Sequence, residues 1–171
     1  MGIRFARLAL TGAVLAALSG GAMAQSVGAD VTASATLVRT LAVTSTSGLS
    51  FGTLSPSATA GTVVVAPDGA RSATGGVTLL TANVGAAGSV NLAGTAALAY
   101  TVTMPSSVTL TASSGGQTMT LSSLTTNLSS GSGTLGSSGA GTFNIGGTLA
   151  VGANQAVASY SGIVPVTVTW N

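Results

Sequence analysis

Beyond residue 24 this chain carries only four charged side chains, Asp30, Arg39, Asp68 and Arg71, and the whole protein contains no His, Cys, Lys or Glu. A Ser-His-Asp triad, a Cys-His pair and a zinc site therefore all lack parts. The two aspartates are formally available as an acid–base carboxylate pair. Asp30 lies on the polar face of an alternating run, however, and Asp68 sits inside Pro67-Asp68-Gly69, where an aspartate side chain holds its own turn. The glycines of "GTLGSSGAG" (residues 133–141) resemble a phosphate loop but come without its Lys and its following helix, so they read as a flexible loop. No catalytic residue, metal site or cofactor is expected, and the chain is not expected to be an enzyme.

The first residues read as an address. Arg4 and Arg7 open the chain, an apolar run fills residues 8–18, and Ala22-Met23-Ala24 supplies a small-x-small cleavage site. The apolar run is too short for a membrane span. Residues 1–24 are thus expected to be a signal peptide, leaving an exported chain over residues 25–171 that spans no membrane. Its two arginines balance its two aspartates, so the basic pI of the full sequence belongs to the signal. A neutral chain cannot supply the phosphate contacts that nucleic-acid binding requires. One domain is expected for this length, held together without disulfides. A nearly chargeless chain rich in Thr and Val also lacks the usual defence against edge-to-edge strand pairing.

Alternation with period two recurs along the chain. "LSFGTL" (49–54) is short. Val63–Val65 and residues 77–80 flank Pro67-Asp68-Gly69, a strong turn signal. "LAYTVTMP" and "SVTLTAS" flank Pro105-Ser106, and "MTLSSL", "FNIGGTLAV" and a terminal run follow. The Gly/Ser-rich residues 129–141 read as a loop. About nine or ten short strands with turns between them point to an antiparallel sandwich or barrel. No fixed-length repeat supports a solenoid. Phe51, Tyr100, Phe143, Tyr160 and Trp170 are expected in the core rather than on a ligand platform.

The run over residues 26–44, "SVGADVTASATLVRTLAVT", is the longest. From Val27 to Val43 it would extend about 56 Å at roughly 3.3 Å per residue, whereas a globule of this size is about 38 Å across. About five or six residues should overrun the body, so residues 25–35 are expected to project and residues 36–44 to form the first strand of a domain over 36–171. Arg39, alone on an otherwise apolar face, marks either a sheet rim with its head in water or a boundary between two strand segments. The projecting face, Val27, Ala29, Val31, Ala33 and Ala35, is apolar and gains by covering someone else's sheet. At the other end, "YSGIVPVTVTWN" places Val164, Val166, Val168 and Trp170 on one face of a terminal strand. Pro165 there favours an edge. The two ends read as donor and acceptor of one joint, a recognition mode known as strand addition. A head-to-tail contact of this kind propagates a filament.

The signal segment, the alternating extension, "GLSFGTLSP", "YTVTMPSSVTLT", "FNIGGTLAVGANQ" and "YSGIVPVTVTWN" together resemble a bacterial family of secreted proteins, the domain of unknown function DUF4402. In style that family is similar to spore-coat-U-type and chaperone–usher fimbrial subunits. The resemblance implies an antiparallel immunoglobulin-like, pilin-like β-sandwich, one strand short and completed by a donor strand, exported to the periplasm and then the cell surface or exterior. For chaperone–usher relatives it further implies a periplasmic chaperone that grips the terminal carboxylate, here on Asn171, and an outer-membrane usher. Pro165 and Trp170 depart from that pattern, and Pro165 removes one ladder bond from the proposed edge.

The expected function is a structural subunit of a surface fimbria, pilus or coat whose partners are neighbouring copies of itself. The alternative is a stand-alone secreted binding module or adhesin whose extension folds back on its own edge. An outer-membrane barrel is disfavoured by too few aromatics and strands below spanning length. An ice-binding face built on the Thr-x-Thr pieces is disfavoured because threonine alternation is ordinary on exposed strand faces.

Overall fold

The computed structural model describes residue 32 and residues 34–170. Residues from Leu37 onward form one compact unit. Residue 32 and residues 34–40 are exposed and join no ladder.

The described residues form thirteen strands: β1 (Leu41–Ser47), β2 (Leu54–Ser55), β3 (Gly61–Val65), β4 (Arg71–Gly75), β5 (Thr78–Leu79), β6 (Gly88–Gly94), β7 (Ala99–Thr103), β8 (Ser107–Ala112), β9 (Thr118–Thr126), β10 (Ser132–Thr134), β11 (Ala140–Val151), β12 (Tyr160–Ser161) and β13 (Thr167–Trp170). All pairings are antiparallel. The antiparallel all-β architecture expected above is the one observed, with the larger sheet curled into a half-barrel. Its order is β1-β6-β11-β9-β8-β12, with β3 and β4 attached to β11. Small sheets β10-β7-β13 and β2-β5 close it.

The spine is β11. Phe143, Ile145, Leu149 and Val151 alternate inward and are buried. Its first half pairs β6 and its second half pairs β3, along the same side. At that handover the β9 register slips between Gly146 and Thr148, and Ser123 of β9 turns to φ 49°. Such a bulge bends and twists its strand. The bend divides the interior into two cores. One gathers Phe51, Val63, Val65, Val77, Leu121 and Leu149; the other gathers Val90, Leu92, Tyr100, Val102, Leu135 and Phe143. Burial pushes the Tyr100 phenol pKa up, since desolvation disfavours the phenolate.

Several expectations need correction. The first strand starts at Leu41 rather than residue 36, because its ladder partner β6 ends at Gly94 and leaves nothing earlier to pair with. The Gly/Ser-rich residues 129–141 are not a plain loop: they hold a 3-10 turn (Ser129–Gly131) and β10, and Leu135 is a buried anchor. Their composition has a steric reason, since a Cβ at Gly133 would stand 2.5 Å from the Tyr100 hydroxyl and 2.6 Å from its ring. Pro105-Ser106 does separate two strands, β7 and β8, which belong to two different sheets. Pro67-Asp68-Gly69 does turn β3 into β4, with the Ala70 N–H donating to the Asp68 carboxylate at 2.9 Å.

Candidate strand-acceptor cleft

The terminal run changes sheets. Tyr160 and Ser161 pair with Ala112 and Thr111 of β8, whereas Thr167–Trp170 pairs with β7. Residues 162–166 cross between the two sheets and belong to no ladder. Pro165 lies in this crossing, so it removes no ladder bond, contrary to the expectation for a continuous strand. A proline at the change of sheet is where a missing N–H costs least.

Among the described residues no strand covers the interior beside the crossing. A cleft of about 570 Å³ runs from β1 to this segment. Val43 and Ser45 of β1 form one wall, and Tyr160, Val164 and Val166 form the other. Its floor is the inward face of the large sheet: Gly88 and Val90 of β6, Ile145 of β11, Leu121 of β9 and Leu110 of β8. Among the described residues no charged side chain lines it. Among the described residues β1, which borders it, pairs only β6. Val43 faces inward, opposite Leu92, and is nevertheless 45% exposed.

A second cavity of about 490 Å³ shares Leu49, Phe51, Leu110 and Tyr160 with the first. The loop over it is tied down by Gln155. Its Nε2 donates to Thr118 O at 3.3 Å and to the Tyr160 hydroxyl at 2.8 Å, and its Oε1 accepts from Gly152 N at 3.2 Å. The Tyr160 hydroxyl in turn donates to Ala156 O at 2.8 Å. These polar groups hold the fold and leave no acid or base poised in the cavity. Among the described residues no three His, Cys, Asp or Glu side chains gather.

The site residues named from sequence fall as follows. Val27, Ala29, Val31 and Ala33 lie outside the described residues, as does Asn171; Ala35 is exposed and in no ladder. Val164 and Val166 line the cleft. Val168 packs on the second core and pairs Val102, and Trp170, 52% exposed, pairs Tyr100; neither lines the cleft. Arg39 is exposed ahead of β1. The floor residues and Val43 were not anticipated, although the alternation Gly88, Val90, Leu92 is readable in "GSVNLAG".

Nor was Arg71. Its Nη1 donates to Phe51 O at 2.9 Å and Asn83 O at 3.2 Å, and its Nη2 donates to Leu80 O at 2.8 Å. The guanidinium thereby fixes Phe51, which stands between the two cavities. Nothing local in the sequence announces three carbonyls up to twenty residues away.

An antiparallel β-sandwich with a chargeless apolar cleft left open between its sheets is the class of domain these features define. The chain belongs to the DUF4402 family, a domain of unknown function, whose profile matches residues 41–170. That stretch opens on the first residue of β1 and closes on the last of β13. No curated protein matches the chain.

Proposed function

We propose that this protein is a non-enzymatic, exported structural subunit of a surface fimbria, pilus or coat, assembled by strand donation between copies. The observation that carries the reading is the cleft: an apolar floor that no described residue lids, beside strand β1, whose outer edge pairs no described residue. An added strand satisfies such an edge with main-chain hydrogen bonds and buries the floor. The occupant is the alternating segment with Val27, Ala29, Val31, Ala33 and Ala35 on one face. Leu37 and Val38, which lead from it into β1, are 94% and 76% exposed.

The donor goes to a neighbour rather than to its own cleft. Residues 31–40 contain no Gly, Pro, Asn or Asp, so the chain lacks turn chemistry for doubling back just ahead of β1. This disfavours the alternative reading of a self-completed, stand-alone adhesin. In the same proposal the protein passes through the periplasm to the surface, where a chaperone and usher of the fimbrial kind are candidate partners.

Negative-stain microscopy of residues 25–171 beside the Val31→Asp variant tests it. Fibres are expected from the unaltered chain and none from the variant, because an unpaired carboxylate resists burial on an apolar floor. Fibres that persist in the variant, or compact monomers in both, overturn the proposal.

A further inference from the structure

Beyond residue 24 the chain has no lysine and just two arginines, and the structure treats the two in opposite ways. Arg71 stands in the β3–β4 ladder opposite Val65, and its guanidinium donates to the carbonyls of Phe51, Asn83 and Leu80. Arg39 is exposed and joins no ladder. Leu37 and Val38 before it are 94% and 76% exposed, and Thr40 after it is exposed as well. Then comes β1, an edge strand among the described residues, exposed from Ala42 to Ser47. Nicking concentrates where backbone is exposed and outside hydrogen-bonded structure. An extended segment that leads into an open strand edge also has the form in which one chain is bound by another as an added strand.

A trypsin-like serine endopeptidase seats an arginine in a pocket with a carboxylate at its base and cuts the bond that follows. Here that bond is Arg39–Thr40. Water adds across it: the C–N bond breaks, Arg39 keeps the carbonyl as a carboxylate, and Thr40 becomes a new amino terminus. The cut falls one residue ahead of β1, so all thirteen strands stay on one product, residues 40–171. The segment with Val27, Ala29, Val31, Ala33 and Ala35 leaves on the other. We infer that Arg39–Thr40 is a processing site for an arginine-specific serine endopeptidase, and that its cleavage turns a subunit into a cap. This rests on the strand-donation reading and adds to it a control of fibre length. A clipped copy keeps its cleft and takes the extension of another copy. It has no extension of its own to offer the next, so the head-to-tail series ends there.

The test uses trypsin as the probe on the folded 25–171 protein, with the products read by mass spectrometry. One cut is expected, giving residues 25–39 and 40–171, with the bond after Arg71 intact and the larger product melting within a few degrees of the uncut chain. Arg39→Gln should lengthen the half-life of the intact chain at least about tenfold, because the remaining arginine is reached only when β4 opens. The same variant should form fibres like those of the unaltered chain. The larger product, separated from the peptide and mixed as one part in ten with intact chain, should hold fibres to about ten subunits on average. A chain that trypsin leaves whole, or cuts first after Arg71, overturns the processing site. A folded product that leaves fibre length unchanged overturns the cap, while fibres of the intact chain keep strand donation standing. A product that builds fibres by itself overturns strand donation from the extension, and this inference with it.

Discussion

Val43 and Leu92 stand opposite each other in the β1–β6 ladder, point to the same side, and differ by one methylene. Leu92 is 2% exposed and Val43 is 45% exposed. The difference does not lie in the strands' own sequences, since both alternate. It lies in what covers them. Over β6 sit Tyr100 and Val102 of β7, whereas over β1 the terminal run has left for the other sheet and no other described strand takes its place. A sandwich covers each inward face with the facing sheet. Here one inward face is covered by the facing sheet, and in the strand-donation proposal its neighbour is covered by another copy.

The largest expected effect falls on the covered side. Leu92→Ala should cost about 2–5 kcal/mol, the range for a large-to-small change in a closed core. Against a total stability of about 5–15 kcal/mol, that is enough to leave much of the protein unfolded at moderate denaturant. A urea titration reads it as a shifted midpoint with an unchanged slope. A loss under about 1 kcal/mol would mean that the second core is loosely packed, and the contrast with Val43 would lose its meaning.

Arg71 comes next, because it holds the end of the cleft rather than its floor. Three carbonyl contacts from one partly buried guanidinium are worth less than their sum in a solvated setting, and Arg71→Ala should cost about 1–2 kcal/mol. Hydrogen exchange should quicken at residues 50–53 and 80–86, the segments that its guanidinium ties together, and not in β11. Uniform quickening across the sheet would make Arg71 an ordinary surface residue with no particular hold on Phe51.

Much of this architecture was legible because its determinants are local. Pro67-Asp68-Gly69 turns where its residue chemistry says it should, and the alternating runs around Tyr100 and Val108 are strands. Pairing was less legible. Pro105-Ser106 looks like a hairpin turn, yet β7 and β8 belong to different sheets, and nothing within those few residues says so. The terminal run shows the same limit at the site. Val164, Val166, Val168 and Trp170 share one alternation, but the first two line the cleft while the last two sit along β7, because the chain changes sheets at Pro165. Alternation reveals which side of a strand is apolar and not which sheet the strand joins. β10 was missed because its Gly and Ser residues answer to the ring of Tyr100, which is thirty-odd positions away.

The smallest expected effect is the most telling. In unassembled protein Val43→Ala should cost under about 1 kcal/mol, since little of the side chain's area leaves water on folding and no closed cavity is created. In fibres the same substitution should cost more, because the donated strand then covers Val43 and the lost methyl groups leave a gap. Denaturant midpoints of monomer and fibre, measured for both sequences, separate the two terms. Equal small losses in both states would mean that the cleft stays open after assembly, and that the contact between copies lies elsewhere. A monomer loss as large as that of Leu92→Ala would mean that β1 is already covered in solution by its own chain, and the stand-alone reading would then take precedence. Only a small loss in the monomer with a larger one in the fibre keeps Val43 where the comparison with Leu92 puts it, on an inward face that the chain leaves for its neighbour to finish.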